Sequence, residues 1–526
     1  MQTVSGAFTT ATSAPIKKVN QGCLIAWDLT PNVSTNWFTI GTSKIGGADL
    51  IKGAGGNITF FDKYQYANES ARVISWEIKQ SLSQLPYGVI MATANITLDN
   101  NSKRYIPNYD GTIGNFILPN RAIKLQVGFG NESIQQFVGY TDRPNSPLVR
   151  RQTTITAYDA ISYLQNRKSA LQSITNTTVD QIIVQLLVEQ GFSSTQYNIE
   201  PSLALPVSYY NPNGRKVIDM LKELCESEAA LMFVDENGII QWWNRQHMNS
   251  NRTSQWTFNY SNLTNLDWDN TPIINSVAVV AKPYKLMGKT LIWTNGQPIT
   301  LAPNTTTDVF ADFQDTVGAF PATSVDVPAP VATATTSEYT TNQNKDGSGN
   351  DAAGSITLSS SYLFGNSYKM TFTNSSNAEV YITKLEVYGT PAKVQVLDTQ
   401  YQDDTTSQAA YGINPSNNGD VQEIDNNVIQ DTGAAKSLAY ILVKQYGSPL
   451  FRLICKGFAV PQLQIGDAVT VNIADTGQSK LCFIVGKVTT LSGNNLVQEF
   501  DVEERATYNY FTIGTSKIGG SDNLAP

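Results

Sequence analysis

The feature that most constrains this chain is its punctuation. Short runs of β-branched and aromatic residues recur at close spacing, each closed by a turn cluster. Between residues 21 and 157, strands are expected at Cys23–Trp27, Val73–Ile78, Val89–Leu98, Ile123–Val127 and Gln136–Tyr140. They are broken by Asp99-Asn100-Asn101, Asp110-Gly111 and Gly128-Phe129-Gly130-Asn131. Many short strands of this kind build a barrel or a sandwich. Composition agrees. Charged residues are 15% of the chain, against roughly 25% in typical soluble proteins. Neutral polar residues fill the difference, which suits strands and turns better than long surface helices.

At 526 residues the chain exceeds what one core can organise, since single cores stop growing near roughly 250–300 residues. The pattern divides it as follows. Residues 1–21 are a polar N-terminal segment and 22–157 the first β unit. Residues 158–254 turn to helical spacing, with Ile182, Ile183, Leu186 and Leu187 after a capping-box form at Thr178–Gln181. A second helix carries Val217, Met220, Leu221 and Leu224, and a hairpin turns at Asp235–Gly238. Strand character returns at 255–290 and again over 396–505. There a helix near 433–446 is expected to stop at Gly447 with Pro449 beyond. Residues 291–395 read as an inserted β-sandwich-like domain with a long loop over 325–350.

Chemistry-bearing patterns are sparse. The single histidine, His247, is expected on an exposed loop, and no nucleophile motif accompanies it. One histidine and four dispersed cysteines (Cys23, Cys225, Cys455, Cys482) do not supply zinc-ligand spacing; buried free thiols are expected. Asn342-x-Asn344-x-Asp346-Gly347 echoes a calcium loop, but Ala353 stands where a bidentate Glu is needed. The pairs Asp403-Asp404 and Glu503-Glu504 are adjacent on strand-like segments, so each points to opposite faces and cannot flank a glycosidic bond. Of Trp242-Trp243, one ring is expected in the core and the other at an interface. No cofactor is expected, and no enzymatic activity. Net charge is −8 without a basic stripe, so sequence-specific nucleic-acid binding is not expected. No apolar stretch is long enough to span a bilayer, and Met1–Gly22 lacks the apolar region of a signal peptide.

A duplication stands apart. Phe38-Thr39-Ile40-Gly41-Thr42-Ser43-Lys44-Ile45-Gly46-Gly47 recurs identically as Phe511–Gly520. Segment 506–526 thereby repeats 36–50. Phe38, Ile40 and Ile45 in one copy, and Phe511, Ile513 and Ile518 in the other, are candidate anchors of docking segments. Their strand-like alternation suits addition to a sheet edge.

Taken in order, three features resemble siphophage minor tail proteins of the baseplate-hub (tail-tip hub) family. They are the Trp37–Gly47 module; Phe137-Val138-Gly139-Tyr140-Thr141-Asp142 followed by Thr154–Ala160; and Asp404–Ser407 with Tyr411-Gly412, the Ala434–Tyr446 helix and Pro461–Asp467. The resemblance spans roughly 22–505. It implies a mainly β chain with an α+β unit and two tail-tube-like β-barrels, at 22–157 and at 255–290 plus 396–505. It implies a homotrimeric structural protein that closes the distal end of a phage tail and encloses the path of DNA and tape-measure protein. The partners implied are the distal tail protein ring or tail tube, the tape-measure protein, and tail-tip or receptor-binding proteins. The location implied is the virion tail, assembled in the host cytoplasm. Unlike many relatives, the sequence carries no large C-terminal domain, so host binding or peptidoglycan cleavage is not implied. The alternative is a virion adhesin that binds host glycan through the inserted domain.

Overall fold

A computed structural model describes residues 1–14, 18–28, 64–82, 87–147, 149–203, 207–250, 252–313, 323–325, 327–331, 337–364 and 367–505. The chain is mainly β, with several sheets and a few helices.

One large sheet runs through the molecule in two halves. The first half orders the strands Val73–Leu82, Gly88–Asp99, Gln152–Tyr158, Glu132–Thr141, Ala122–Phe129 and Val19–Ala26, with the two-residue strand Ala67–Asn68 outermost. All neighbours are antiparallel. Gln152–Tyr158 shows why these residues make strands. Thr153, Ile155 and Ala157 are buried while Thr154 and Tyr158 face water, the period-2 pattern of a sheet with one wet face. Under the dry face lie Trp76, Ile96, Leu125 and Ile155, together with Phe8 from the helix Gly6–Ser13. Each such burial contributes about 1.5–3 kcal/mol.

The second half orders Leu263–Asn270, Phe451–Phe458, Asn495–Glu504 and Gln478–Ser492, with Ala468–Ile473 and Trp256–Phe258 branching from the last. Its core holds Leu453, Val469, Phe483, Phe500 and Val502. The halves join where Gln478–Ser492 pairs antiparallel with Val73–Leu82, from Gly486↔Ser81 to Ser492↔Ser75. Among the described residues no strand pair closes either half into a barrel.

Helices Val179–Glu189 and Val217–Glu228 pack Ile182, Ile183, Leu186, Met220, Leu221 and Leu224 against Trp242. The Leu231–Val234/Ile240–Trp243 hairpin ties this unit to the first half, because Leu231–Met232 pairs parallel with Gly88–Val89. Thr178 occupies the N-cap but its side chain makes no capping bond. Instead Thr177 Oγ1 donates to Gln181 Oε1 at 2.8 Å, so the expected capping box is replaced by a pairing one residue earlier.

The segments 255–281 and 396–505 distribute over two sheets, while Tyr284–Leu286 already belongs to the unit that follows. Besides the second half-sheet, Asp398–Asp403, Ser276–Ala281 and Gln422–Asp425 form a separate three-stranded sheet. Helix Thr432–Tyr446 crosses it, burying Leu438 and Leu442 on Val277, Val279 and Ile424. Asp431 caps this helix at Ala434 N, 2.9 Å. Gly447 follows with φ −67, not left-handed. It is needed for closeness, since a Cβ there would stand 2.5 Å from the Val443 carbonyl oxygen.

Within 284–394 two further sheets face each other across Leu301, Phe313, Met370, Phe372, Ile382 and Leu385. One is built around the long strand Val380–Val394; the other is Thr305–Asp312, Ser367–Asn374 and Ile356–Phe364. The chain enters and leaves side by side, with Tyr284↔Val394 and Leu286↔Ala392 in register.

Candidate functional site

The place where most elements converge is the seam between the two half-sheets. Lys487 lies in the apolar run Cys482–Val488 and is 2% exposed. Its ammonium donates to Glu236 Oε1 at 3.2 Å and to the Leu463 carbonyl at 2.9 Å. Glu236, also 2% exposed, sits in the Asp235–Gly238 turn, where Gly238 takes φ +84 and Gly238 N bonds Asp235 O. Gln464 Nε2 supplies a second donor to Glu236, at 2.6 Å. One charge pair thus locks the hairpin, the 463–464 turn and the seam strand together. Next to it, burial pushes the Asp235 and Asp467 carboxyls above the usual range.

A second, neutral network crosses the same seam. Gln498 Oε1 accepts from Val460 N at 2.7 Å and its Nε2 donates to Thr489 Oγ1 at 3.0 Å. Gln136, from the first half, donates to the Pro461 carbonyl at 3.0 Å. Both glutamines are essentially buried. Amides suit this role because each presents a donor and an acceptor to two backbones at once.

The sheet ends differently on its two outer sides. At one side, among the described residues, Leu263–Asn270 pairs only with Phe451–Phe458 and presents Asp267 and Trp268 (56% exposed). At the other, among the described residues, Val19–Ala26 is covered by Ala67–Asn68 only at Leu24 and Ile25. The root of that strand is held by Glu69, whose carboxylate takes Arg104 Nη2 (2.9 Å), Tyr105 Oη (2.7 Å) and Trp27 Nε1 (3.1 Å). Burial pushes this carboxyl up, but those hydrogen bonds and the Arg104 charge outweigh it and hold it below the usual range.

Phe38, Ile40, Ile45, Phe511, Ile513 and Ile518, the docking anchors expected from the sequence, lie outside the described residues. His247 departs from expectation. It is half-buried on the short helix Arg245–Ser250, stacked 3.8 Å from Trp243, with Nδ1 2.5 Å from Glu200 Oε1. Trp242 is buried, and Trp243 packs on Phe233 at the junction with Gly466. The carboxylate pairs serve structure. Asp404 caps the helix Thr405–Tyr411 at Ser407 N, and Asp403 accepts from Gln408. Glu503 accepts from Tyr446 Oη, and Glu504 pairs with Lys480. Asp346 binds Ser348 within its own turn. The four cysteines are buried free thiols. Among the described residues no group of three or more acidic, His or Cys side chains is placed to hold a metal, and no helix is long and apolar enough to cross a membrane. Lys487, Glu236, Gln136 and Gln498 escaped the sequence reading. A lysine embedded in Phe-Ile-Val-Gly-Lys-Val was the signal for the first.

No family model matches the sequence, and no curated protein matches it. Among solved structures, the chain is similar to a tail protein from Neisseria meningitidis MC58, at 10% identity, TM-score 0.43, over 84% of this chain and 94% of that one. It is similar to the 43 kDa tail protein of prophage MuSo2 from Shewanella oneidensis, at 12% identity, TM-score 0.41, over 84% and 95%. The prophage tail protein gp18 from Listeria monocytogenes EGD-e is similar at 10% identity, TM-score 0.42, over 84% and 92%.

Proposed function

We propose that the protein is a structural, non-enzymatic component of a phage virion, the hub at the distal end of the tail. The observation that carries this reading is the single sheet made of two halves fused at a buried seam, whose main path ends, among the described residues, in Leu263–Asn270 at one side and Ala67–Asn68 at the other. Edge strands are a liability alone but an assembly device in a closed ring, where an edge meets the next copy. In a homotrimer three copies present six half-sheets, a repeat that fits a six-fold tail tube or distal tail ring. Such a ring encloses a path for DNA and the tape-measure protein. Tail-tip or receptor-binding proteins attach at its far side, with the two Phe-Thr-Ile-Gly segments as docking elements. The order of motifs along 22–505 supports the same reading. Cryo-EM of the purified protein tests it: three-fold rings with a central channel or plug are expected.

A second reading is a glycan-binding adhesin. It draws on the outer face of the 305–374 sheet, where Phe310 is 56% exposed beside the Asp308–Lys369 pair. Binding of the excised 284–394 unit on a glycan array would favour it.

A further inference from the structure

The two half-sheets are built on one plan. In chain order the strands of the first are Val19–Ala26, Val73–Leu82, Gly88–Asp99, Ala122–Phe129, Glu132–Thr141 and Gln152–Tyr158. Those of the second are Trp256–Phe258, Leu263–Asn270, Phe451–Phe458, Ala468–Ile473, Gln478–Ser492 and Asn495–Glu504. Both sets lie side by side in the spatial order second, third, sixth, fifth, fourth, first. Only the first strand differs, antiparallel to its neighbour in one half and parallel in the other. A bulge recurs as well. The second strand slips against the third between Val73 and Ser75, and again between Leu263 and Asn265. In these terms the seam joins the fifth strand of the second half to the second strand of the first. The reciprocal junction, fifth strand of the first half to second strand of the second, is missing among the described residues.

Both sides of that missing junction are on the surface. The shared bulge aligns Trp268 with Ile78. Ile78 is 2% exposed beside the seam, whereas Trp268 is 56% exposed, propped edge-on against Phe451 at 4.5 Å. On the other side, residues 142–147 run on from Glu132–Thr141, as the seam stretch from Gly486 forms the later part of Gln478–Ser492. Asp142 N bonds Thr156 O, and Gly486 pairs with Asp501, which matches Thr156 through the third-strand residues Asn95 and Ile454. Asn145 therefore stands, to within a residue, at the place of Thr489, the partner of Ile78 across the seam. Charge agrees. Arg143, Arg150 and Arg151 are exposed and have no ion pair among the described residues. The Leu263–Asn270 strand carries Asp267, which is exposed, and Asp269, so the two sides are complementary. Pro144 and Pro147 withhold two amide donors. That keeps this end from pairing with strands indiscriminately and leaves recognition to side chains.

We propose that the Leu263–Asn270 edge of one copy docks along residues 142–147 of a second copy, with Trp268 beside Asn145, so that the contact between copies repeats the seam within each. This rests on the ring proposed above and names its contact. Two different surfaces meet, so the association is head-to-tail and closes on itself. Crosslinking tests it on the full chain. The four native thiols are buried, so a short bis-maleimide reads only cysteines placed at exposed positions. An Asn145→Cys chain co-expressed with a Trp268→Cys chain should give a covalent dimer, and neither chain alone should. One chain carrying both changes should be linked around the ring, with a covalent trimer as the largest species. Trp268→Ser should raise the concentration at which particles dissociate roughly tenfold or more, and Arg143→Glu should raise it by a smaller factor. Rings that form without the mixed crosslink overturn the proposal. So does crosslinking of Trp268→Cys to itself, which would mean that like edges pair about a two-fold axis. Light scattering on the unmodified chain separates the two failures: rings without this crosslink sink the contact alone, whereas monomers sink the ring and the contact with it.

Discussion

The seam and the root of the 284–394 unit are both places where the chain returns to itself from far away, yet they are built oppositely. The seam is long and interior. Seven residue pairs from Gly486↔Ser81 to Ser492↔Ser75 are backed by the Lys487–Glu236 pair and the Gln136 and Gln498 amides, all buried. The root of the 284–394 unit is three residue pairs, Tyr284↔Val394 to Leu286↔Ala392, with Tyr209 and Ala392 as its small apolar contact. Where two halves must act as one rigid sheet, buried polar groups fix a single register. At the root of the 284–394 unit, a short ladder joins a unit that has its own core.

The largest effect is expected at the seam's charge pair. Lys487→Met leaves the Glu236 carboxylate buried without its cation and should cost about 3–5 kcal/mol in urea unfolding. The double variant Lys487→Met, Glu236→Gln should recover most of that loss, because no charge is then stranded. A single-variant loss below about 1 kcal/mol would show that water reaches the pair.

The next effect depends on pH. Asp159 is buried at the end of Gln152–Tyr158, where it accepts from Ala92 N and Ser162 N at 2.6 Å each. Burial nevertheless pushes its carboxyl up to about 6. Because the folded value lies above the unfolded one, the neutral form is the one the fold favours. Its stabilisation is complete below about pH 4 and fades as pH rises through about 6. Relative to Asp159→Asn, the native protein should therefore lose about 2–3 kcal/mol between these pH values. A flat difference would mean that the two N–H donors hold the carboxylate ionised throughout.

Gln498→Leu strands Val460 N and removes the partner of Thr489, for about 1–3 kcal/mol. Smallest of all is the deletion of 287–390 with a Gly/Ser linker, which keeps the Tyr284–Leu286 ladder. It should leave the melting of the remaining sheet within about 1 kcal/mol of the native chain, because the removed unit has its own core. Insolubility of that variant would show the unit to be integral, and the contrast would fail.

The sequence showed strands well where one face is dry and the other wet. Val89–Leu98 appears within a residue of its expected bounds, as Gly88–Asp99. Leu263–Asn270 was missed because Thr264, Asn265, Asp267 and Asp269 interrupt its apolar residues and hide the alternation. The length of the strand Val380–Val394 was hidden by Pro391, which the strand tolerates late in its run. The seam was illegible for a different reason. Glu236 and Lys487 lie 251 residues apart, and nothing local in either marks the other. His247 read as a loop residue because stacking on Trp243 is a tertiary event.

The central claim is that the fused double sheet is the repeating wall of a trimeric hub. Light scattering combined with cryo-EM on the purified full chain tests it most directly. The account predicts particles of three copies with a six-fold-like inner wall, built from the Val73–Leu82 and Gln478–Ser492 halves, and with the 284–394 units outside. A stable monomer at micromolar concentration, together with single copies in virion density, would contradict it.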